Sequence, residues 1–249
     1  MTLLADAIAT EGFWLLVLAA ILAGLVRGFT GFGTAMVYLP VAGQVLDPVS
    51  AVVTLVVIDF IGPLPAVPGA WRDAHRRDVM RLAVGALAGM PLGLMVLLVL
   101  SPDHFRAVVS VLSLALLAAL VSGLRYRGTV GRPLIYGIGS LAGFLHGAAG
   151  LPGPPVILLY MARPLPVQVI RASVLLFLVA SDILIFGLFA VRGLLAPAPL
   201  VLGLCLIVPY LLAIALGARI FDPRHHRAYR RVAYTIIAAS ALSGLPVWS

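Results

Sequence analysis

Lysine is absent from this 249-residue sequence, cysteine occurs once, and only 10% of the residues are charged. Each scarcity excludes something. Without lysine there is no GxxxxGK phosphate loop, so this chain does not hydrolyse nucleotides itself. Cys205 stands alone in an apolar run, which leaves neither a disulfide framework nor a thiolate metal cluster, and no cofactor is expected. HExxH, GxSxG and CxxC motifs are missing too, and the chain is not expected to be an enzyme. His225 and His226 lie in an arginine-rich loop with one nearby acid, Asp222, a poor zinc site.

What the chain has in excess is apolar surface. A soluble domain carries about 25% charged residues, whereas 62% of this sequence is hydrophobic and its mean hydropathy is +1.14. Such a composition cannot cover a globule with a wetted surface, and no polar stretch is long enough for a separate soluble domain. Residues 1–249 therefore read as a single all-α integral membrane domain. Seventeen arginines against nine acids give a formal charge of +8. Most of the arginines fall in short connections between apolar runs, where cytoplasmic membrane loops collect them, and the expected partner is a lipid bilayer, not nucleic acid. The opening MTLLADAIATEG carries Asp6 and Glu11 and no basic residue, unlike the n-region of a signal peptide, so the first apolar run is expected to be retained. Trp14, Trp71 and Trp248 fall near segment ends, as interfacial aromatics do.

A bilayer core of about 30 Å takes about 20 helical residues. Apolar segments lie near 12–27, 31–46, 48–67, 79–100, 106–123, 134–149, 153–162, 167–191, 197–218 and 231–247. They are continuously apolar, which favours helices over the alternating strands of a barrel. The pairs flanking residues 28–33 and 147–155 are short, and either span or dip into the membrane as half-helices. Eight to ten transmembrane or half-helical segments are expected.

The two halves repeat. A shift of 119 residues carries Gly24, Gly28 and Gly31 onto Gly143, Gly147 and Gly150, and Thr54 onto Ser173. A shift of 121 carries Pro102, His104, Arg106 and Ala107 onto Pro223, His225, Arg227 and Ala228. Such duplication is common among secondary transporters. Loops 72–81, 125–132, 163 and 219–231 fall on one face and hold 13 arginines, against Arg106 and Arg192 on the other. The rich face is cytoplasmic by the positive-inside rule, which puts both termini outside. Because the matched loops at 101–106 and 222–227 fall on opposite faces, the halves are expected to be two inverted repeats of about five segments, near 12–123 and 134–247.

Chemistry concentrates at two glycine-rich places, GFTGFG at 28–33 after Arg27 and HGAAGLPGPP at 146–155. Glycines this dense interrupt a helix, turn backbone N–H groups into a cavity and leave the next half-helix presenting its positive end. That combination attracts anions. Gly28, Thr30, Gly31 and Gly33, with Gly147, Gly150 and Gly153 in the second half, are the candidate lining residues. The competing role is packing, since Gly24xxxGly28 and Gly143xxxGly147 also let membrane helices touch closely.

Arg27 and His146 occupy one position of the repeat. The first offers a permanently charged planar fork and the second a titratable ring; alternatively Arg27 snorkels to the interface and His146 is a satisfied interior histidine. Asp59 and Asp182 lie deep in apolar segments, where an uncompensated carboxylate costs about 2.5–3.5 kcal/mol. They either bind a coupling proton or sodium ion or serve structure, for example in an ion pair to Arg27 or Arg171. Thr54 and Ser173 offer hydroxyls to a ligand or to neighbouring helices.

The glycine-rich RGFTGFG, its echo GFLHGAAGLPGPPVILLYM, ALAGMPLG at 86–93 and the PDHFR and DPRHHR loops together resemble the sulfite exporter TauE/SafE family of bacterial membrane proteins over about residues 12–245. The second break departs from a simple glycine turn by carrying Pro152, Pro154 and Pro155. The resemblance implies a permease of the bacterial inner membrane for small sulfur-containing anions such as sulfite or organosulfonates, acting in export. The expected site lies where the breaks meet near the midplane. Two other readings stay open from sequence: an intramembrane enzyme acting on a lipid-linked substrate, and a non-transporting membrane subunit. The sequence leaves the oligomeric state open.

Overall fold

The computed structural model describes residue 9 and residues 11–122, 130–220 and 223–246. Asp6, Arg125, Arg127, Asp222 and Trp248, all used above, lie outside the described residues. Every regular element within them is helical. Helices α1 (Phe13–Thr30), α2 (Thr34–Ala42) and α3 (Pro48–Ile61) lead through a 3-10 turn (Leu64–Ala66) to α4 (Val67–Asp73), α5 (Arg76–Val99) and α6 (Pro102–Val121). There follow α7 (Arg132–Ala149), α8 (Gly153–Met161), α9 (Val167–Val191), α10 (Pro197–Ile220), a second 3-10 turn (Pro223–His225) and α11 (His226–Ser243).

Six stretches among the described residues are long and apolar enough to cross a bilayer: α1, Pro48–Asp73, α5, α6, α9 and α10. Helices α2 and α8 have nine residues each and rise only about 14 Å, half the hydrocarbon thickness. Their surroundings recur. An 18-residue helix, a three-residue break and a nine-residue helix appear at α1–α2 and again at α7–α8. Phe13 and Arg132, Thr34 and Gly153, and Pro48 and Val167 each stand 119 residues apart, the shift already seen in the glycines.

Segment limits differ from the sequence expectation where backbone chemistry intervenes. The run 48–67 stops being α-helical at Ile61, because Pro63 and Pro65 supply no N–H to continue the ladder. The run 31–46 is helical only from Thr34 to Ala42, since its first residues form the break. Helix α11 begins at His226, five residues earlier than the apolar run, because arginine and alanine propagate a helix well.

The chain forms two compact units, and each draws on both halves of the sequence. The first holds α1, α2, α3, most of α6, α10 and α11. In it α1 lies against α10: a Cβ at Gly24 would stand 2.6 Å from the Tyr210 carbonyl oxygen, and one at Gly28 2.7 Å from that of Ile214. As the number rises along α1 it rises along α10, so the two helices run parallel. Helix α10 also packs on α3, and α11 on α1 and α2.

The second unit holds α4, α5, α7, α8 and α9. Its spine is an interlock of α5 with α7. A Cβ at Gly89 would collide with the Ser140 carbonyl, one at Gly143 with that of Ala86 and one at Gly147 with that of Met90. Again the register rises on both helices together, so they run parallel. The small-residue spacing noted in the sequence does serve close packing in both units, letting backbones approach where any side chain would hold them apart.

Candidate functional site

Each unit carries a buried polar cluster assembled around a helix break. In the first unit α1 ends with Gly31 in the left-handed region at φ 81°, and Gly33 follows at φ 98°. A side chain is strained at both positions, and glycine lets the helix break there over three residues. The Gly31 N–H caps the Arg27 carbonyl at 2.7 Å. Thr30 serves the break itself: its hydroxyl lies 2.8 Å from the Val26 oxygen and 2.7 Å from the Phe32 oxygen, and it accepts from the Phe32 N–H at 3.2 Å. Helix α2 then starts with no side chain capping its N–H groups.

Arg27 sits in the last turn of α1, a favourable place for a cation at a helix C-terminus, and is only 8% exposed. Its Nη1 donates to the Asp59 carboxylate of α3 and, at 3.0 Å, to the Thr34 hydroxyl of α2. The Tyr210 hydroxyl of α10 donates to Asp59 at 2.9 Å and lies 2.9 Å from the Thr34 hydroxyl. Arg27, Thr34, Tyr210 and Asp59 thus close a ring drawn from four helices. The pairing offsets much of the cost either charge would carry if buried alone. Arg27 does not snorkel.

In the second unit the break follows α7, where Gly150 takes φ 66° and its N–H caps the His146 carbonyl at 2.9 Å. His146 is 1% exposed. Its Nδ1 lies 2.6 Å from the Ser181 hydroxyl and its Nε2 3.6 Å from the Asp182 carboxylate, both on α9. The basic position before each break therefore pairs with an aspartate of the helix that follows the half-helix, half-buried Asp59 in the first unit and buried Asp182 in the second. The two clusters differ in their amides. Helix α8 begins Gly153, Pro154, Pro155, and two prolines withdraw two N–H groups that α2 keeps at the matching positions.

Several candidates are spent elsewhere. The Thr54 hydroxyl accepts from Tyr38 at 3.0 Å and lies 2.9 Å from the Ala51 carbonyl oxygen. The Ser173 hydroxyl accepts from the His75 N–H at 2.9 Å. Gly28 and Gly147 lie inside helices, against α10 and α5. Arg171 is exposed and pairs with neither aspartate.

Sequence reading missed Tyr210, Thr34 and Ser181. Tyr210 follows Pro209 within an apolar helix, and Ser181 immediately precedes Asp182; these polar residues inside apolar runs were the available signal. It also missed Asp78, at the head of α5 and 1% exposed, which receives Arg163 and Arg81 and lies 3.0 Å from the His75 ring. That ionic cluster ties the connection after α8 to α5.

The family model described as sulfite exporter TauE/SafE matches residues 16–244. The chain is similar to a protein of Cupriavidus necator named probable sulfite/organosulfonate exporter TauE, with 28% identity over 233 residues covering 88% of this chain and 90% of that protein. No solved structure matches.

Proposed function

The chain belongs to the sulfite exporter TauE/SafE family of membrane transporters, which are not enzymes, and from that premise we propose that it exports small sulfur oxyanions, sulfite or organosulfonates, by secondary transport. The observation that carries the reading is Arg27: a buried guanidinium held at a helix break, with the amino end of a half-helix, whose N-cap Gly33 provides no side-chain cap, directly after it. A permanent cation and converging amides are what a sulfonate or sulfite needs once its water is stripped.

In this reading Arg27 and the amino end of α2 from Gly33 hold the anion, while Thr30 and Gly31 shape the break and Gly28 packs α1 on α10. His146 belongs to the second unit's own cluster at the break through Gly150 and Gly153, Gly147 packs α7 on α5, and the prolines of α8 make that cluster the weaker anion ligand. Thr54 and Ser173 act by fixing helices around the breaks. Asp59 or Asp182 carries the coupling ion. The recurring helix limits, 119 residues apart, support two repeats, and the arginine-rich loops support their being inverted in a bacterial inner membrane with both termini outside.

The test is flux. Proteoliposomes containing the purified chain are expected to release radiolabelled sulfite faster than empty vesicles and saturably, and an Arg27→Ala protein that still inserts is expected to lose most of that flux. Release no faster than from empty vesicles contradicts the proposal.

A further inference from the structure

Resting on the transporter reading above, the geometry of the first unit says what the coupling ion is and how it acts. Arg27 is the cation of its cluster, and its Nη1 is already committed to Asp59 and Thr34. An oxyanion arriving at that guanidinium meets a carboxylate on the same nitrogen. Two negative groups on one buried cation leave a net charge and a like-charge contact, each costing several kcal/mol in such surroundings. A sulfonate cannot shed its charge near neutral pH, whereas a carboxylate can by taking a proton. We infer that substrate anion and Asp59 carboxylate alternate on Arg27, and that Asp59 takes up one proton each time an anion binds.

The surrounding groups favour a proton over a metal ion. The charged and titratable groups placed on Asp59 are Arg27 from α1 and the Tyr210 phenol from α10; α2 contributes there the non-titrating Thr34, and its own Tyr38 is bound to Thr54. Among the described residues, sodium would find the Asp59, Tyr210 and Thr34 oxygens beside a guanidinium that repels it. A proton needs no such shell. Once Asp59 is neutral, the two hydroxyls can rotate to accept from it or donate to it.

The cycle follows from charge balance. The loaded form holds Arg27, a monovalent anion and a protonated Asp59; the empty form holds the closed Arg27–Asp59 pair. Both carry the same net charge, so a monovalent anion and a proton move together without moving charge. Export then runs whenever the outward anion gradient exceeds the inward proton gradient. By linkage, the anion binds more weakly as pH rises, because the unbound Asp59 must first be protonated.

Titration calorimetry of the detergent-solubilised full chain tests this, with methanesulfonate and sulfite as probes, in two buffers of different protonation enthalpy and again one pH unit higher. Methanesulfonate keeps a single charge throughout. The native chain is expected to take up one proton per methanesulfonate bound, with affinity falling by up to about tenfold per pH unit. Asp59→Asn is expected to bind without proton uptake and with affinity flat in pH. Binding by the native chain without proton uptake overturns the inference while leaving the transporter reading intact, as does a requirement for sodium or an Asp59→Asn protein that still takes up the proton. If neither probe binds the native chain, the transporter reading falls and the inference with it. The proton count on the native chain decides the matter even where the variant fails to fold.

Discussion

The Arg27 guanidinium and the Thr34 hydroxyl meet at 3.0 Å across the break between α1 and α2, seven residues apart in sequence. In a continuous helix residues seven apart lie two turns, about 10 Å, from each other. The left-handed glycines at 31 and 33 bring them together, so the same break that interrupts the helix also gives the cation a binding partner.

Thr34→Val keeps the shape of the side chain and removes its hydroxyl. Arg27 loses one acceptor and Tyr210 one partner in a buried ring, a loss of about 1–3 kcal/mol. Thermal unfolding in detergent is expected to show Thr34→Val clearly less stable than the native chain and Thr34→Ser close to it. Equal stability of all three would show that the ring does not hold the break.

Removing one member of the Arg27–Asp59 pair differs from removing both. Arg27→Ala strands a carboxylate that is only 13% exposed, at a cost of about 3–5 kcal/mol. The double variant Arg27→Ala/Asp59→Ala leaves no unpaired charge and is expected to regain much of that stability while staying inactive in flux. Recovery of transport by the double variant would remove Arg27 from the anion site.

The α5–α7 interlock tolerates no side chain on its inner face. Gly143→Val would drive a Cβ into the Ala86 carbonyl, whereas at Gly137, on the same helix, nothing lies within 4 Å. Expression followed by size-exclusion chromatography is expected to give a monodisperse Gly137→Val protein and little or no folded Gly143→Val. Two equally well-behaved proteins would contradict the packing described for the second unit.

Much of this was legible in the sequence, and the limits of legibility have physical causes. Apolar runs and glycine clusters gave the helices, the two breaks and the 119-residue recurrence, because hydropathy and backbone permissiveness are local properties. The Arg27–Asp59 pair was one of the partnerships open to Asp59 from sequence. His146–Asp182 was not foreseen, because 36 residues separate the two and only the course of α8 and α9 brings the ring to the carboxylate. Asp78 escaped notice because it stands at a segment end, where a solvated acid is the ordinary case; Arg163, 85 residues away, is what buries it in an ion pair. Tyr210 is chemically silent in a sequence, since a membrane tyrosine counts as apolar until its hydroxyl finds a carboxylate.

The most direct test of the central claim, that Arg27 at the first break holds an oxyanion, is the change in unfolding temperature of the solubilised chain on adding sulfite or methanesulfonate, measured side by side for the native protein, Arg27→Gln and His146→Gln. A ligand that binds only the folded state raises that temperature with concentration. The account predicts a saturable rise for the native chain, nearly the same rise for His146→Gln and little or none for Arg27→Gln. An undiminished rise in Arg27→Gln would contradict it.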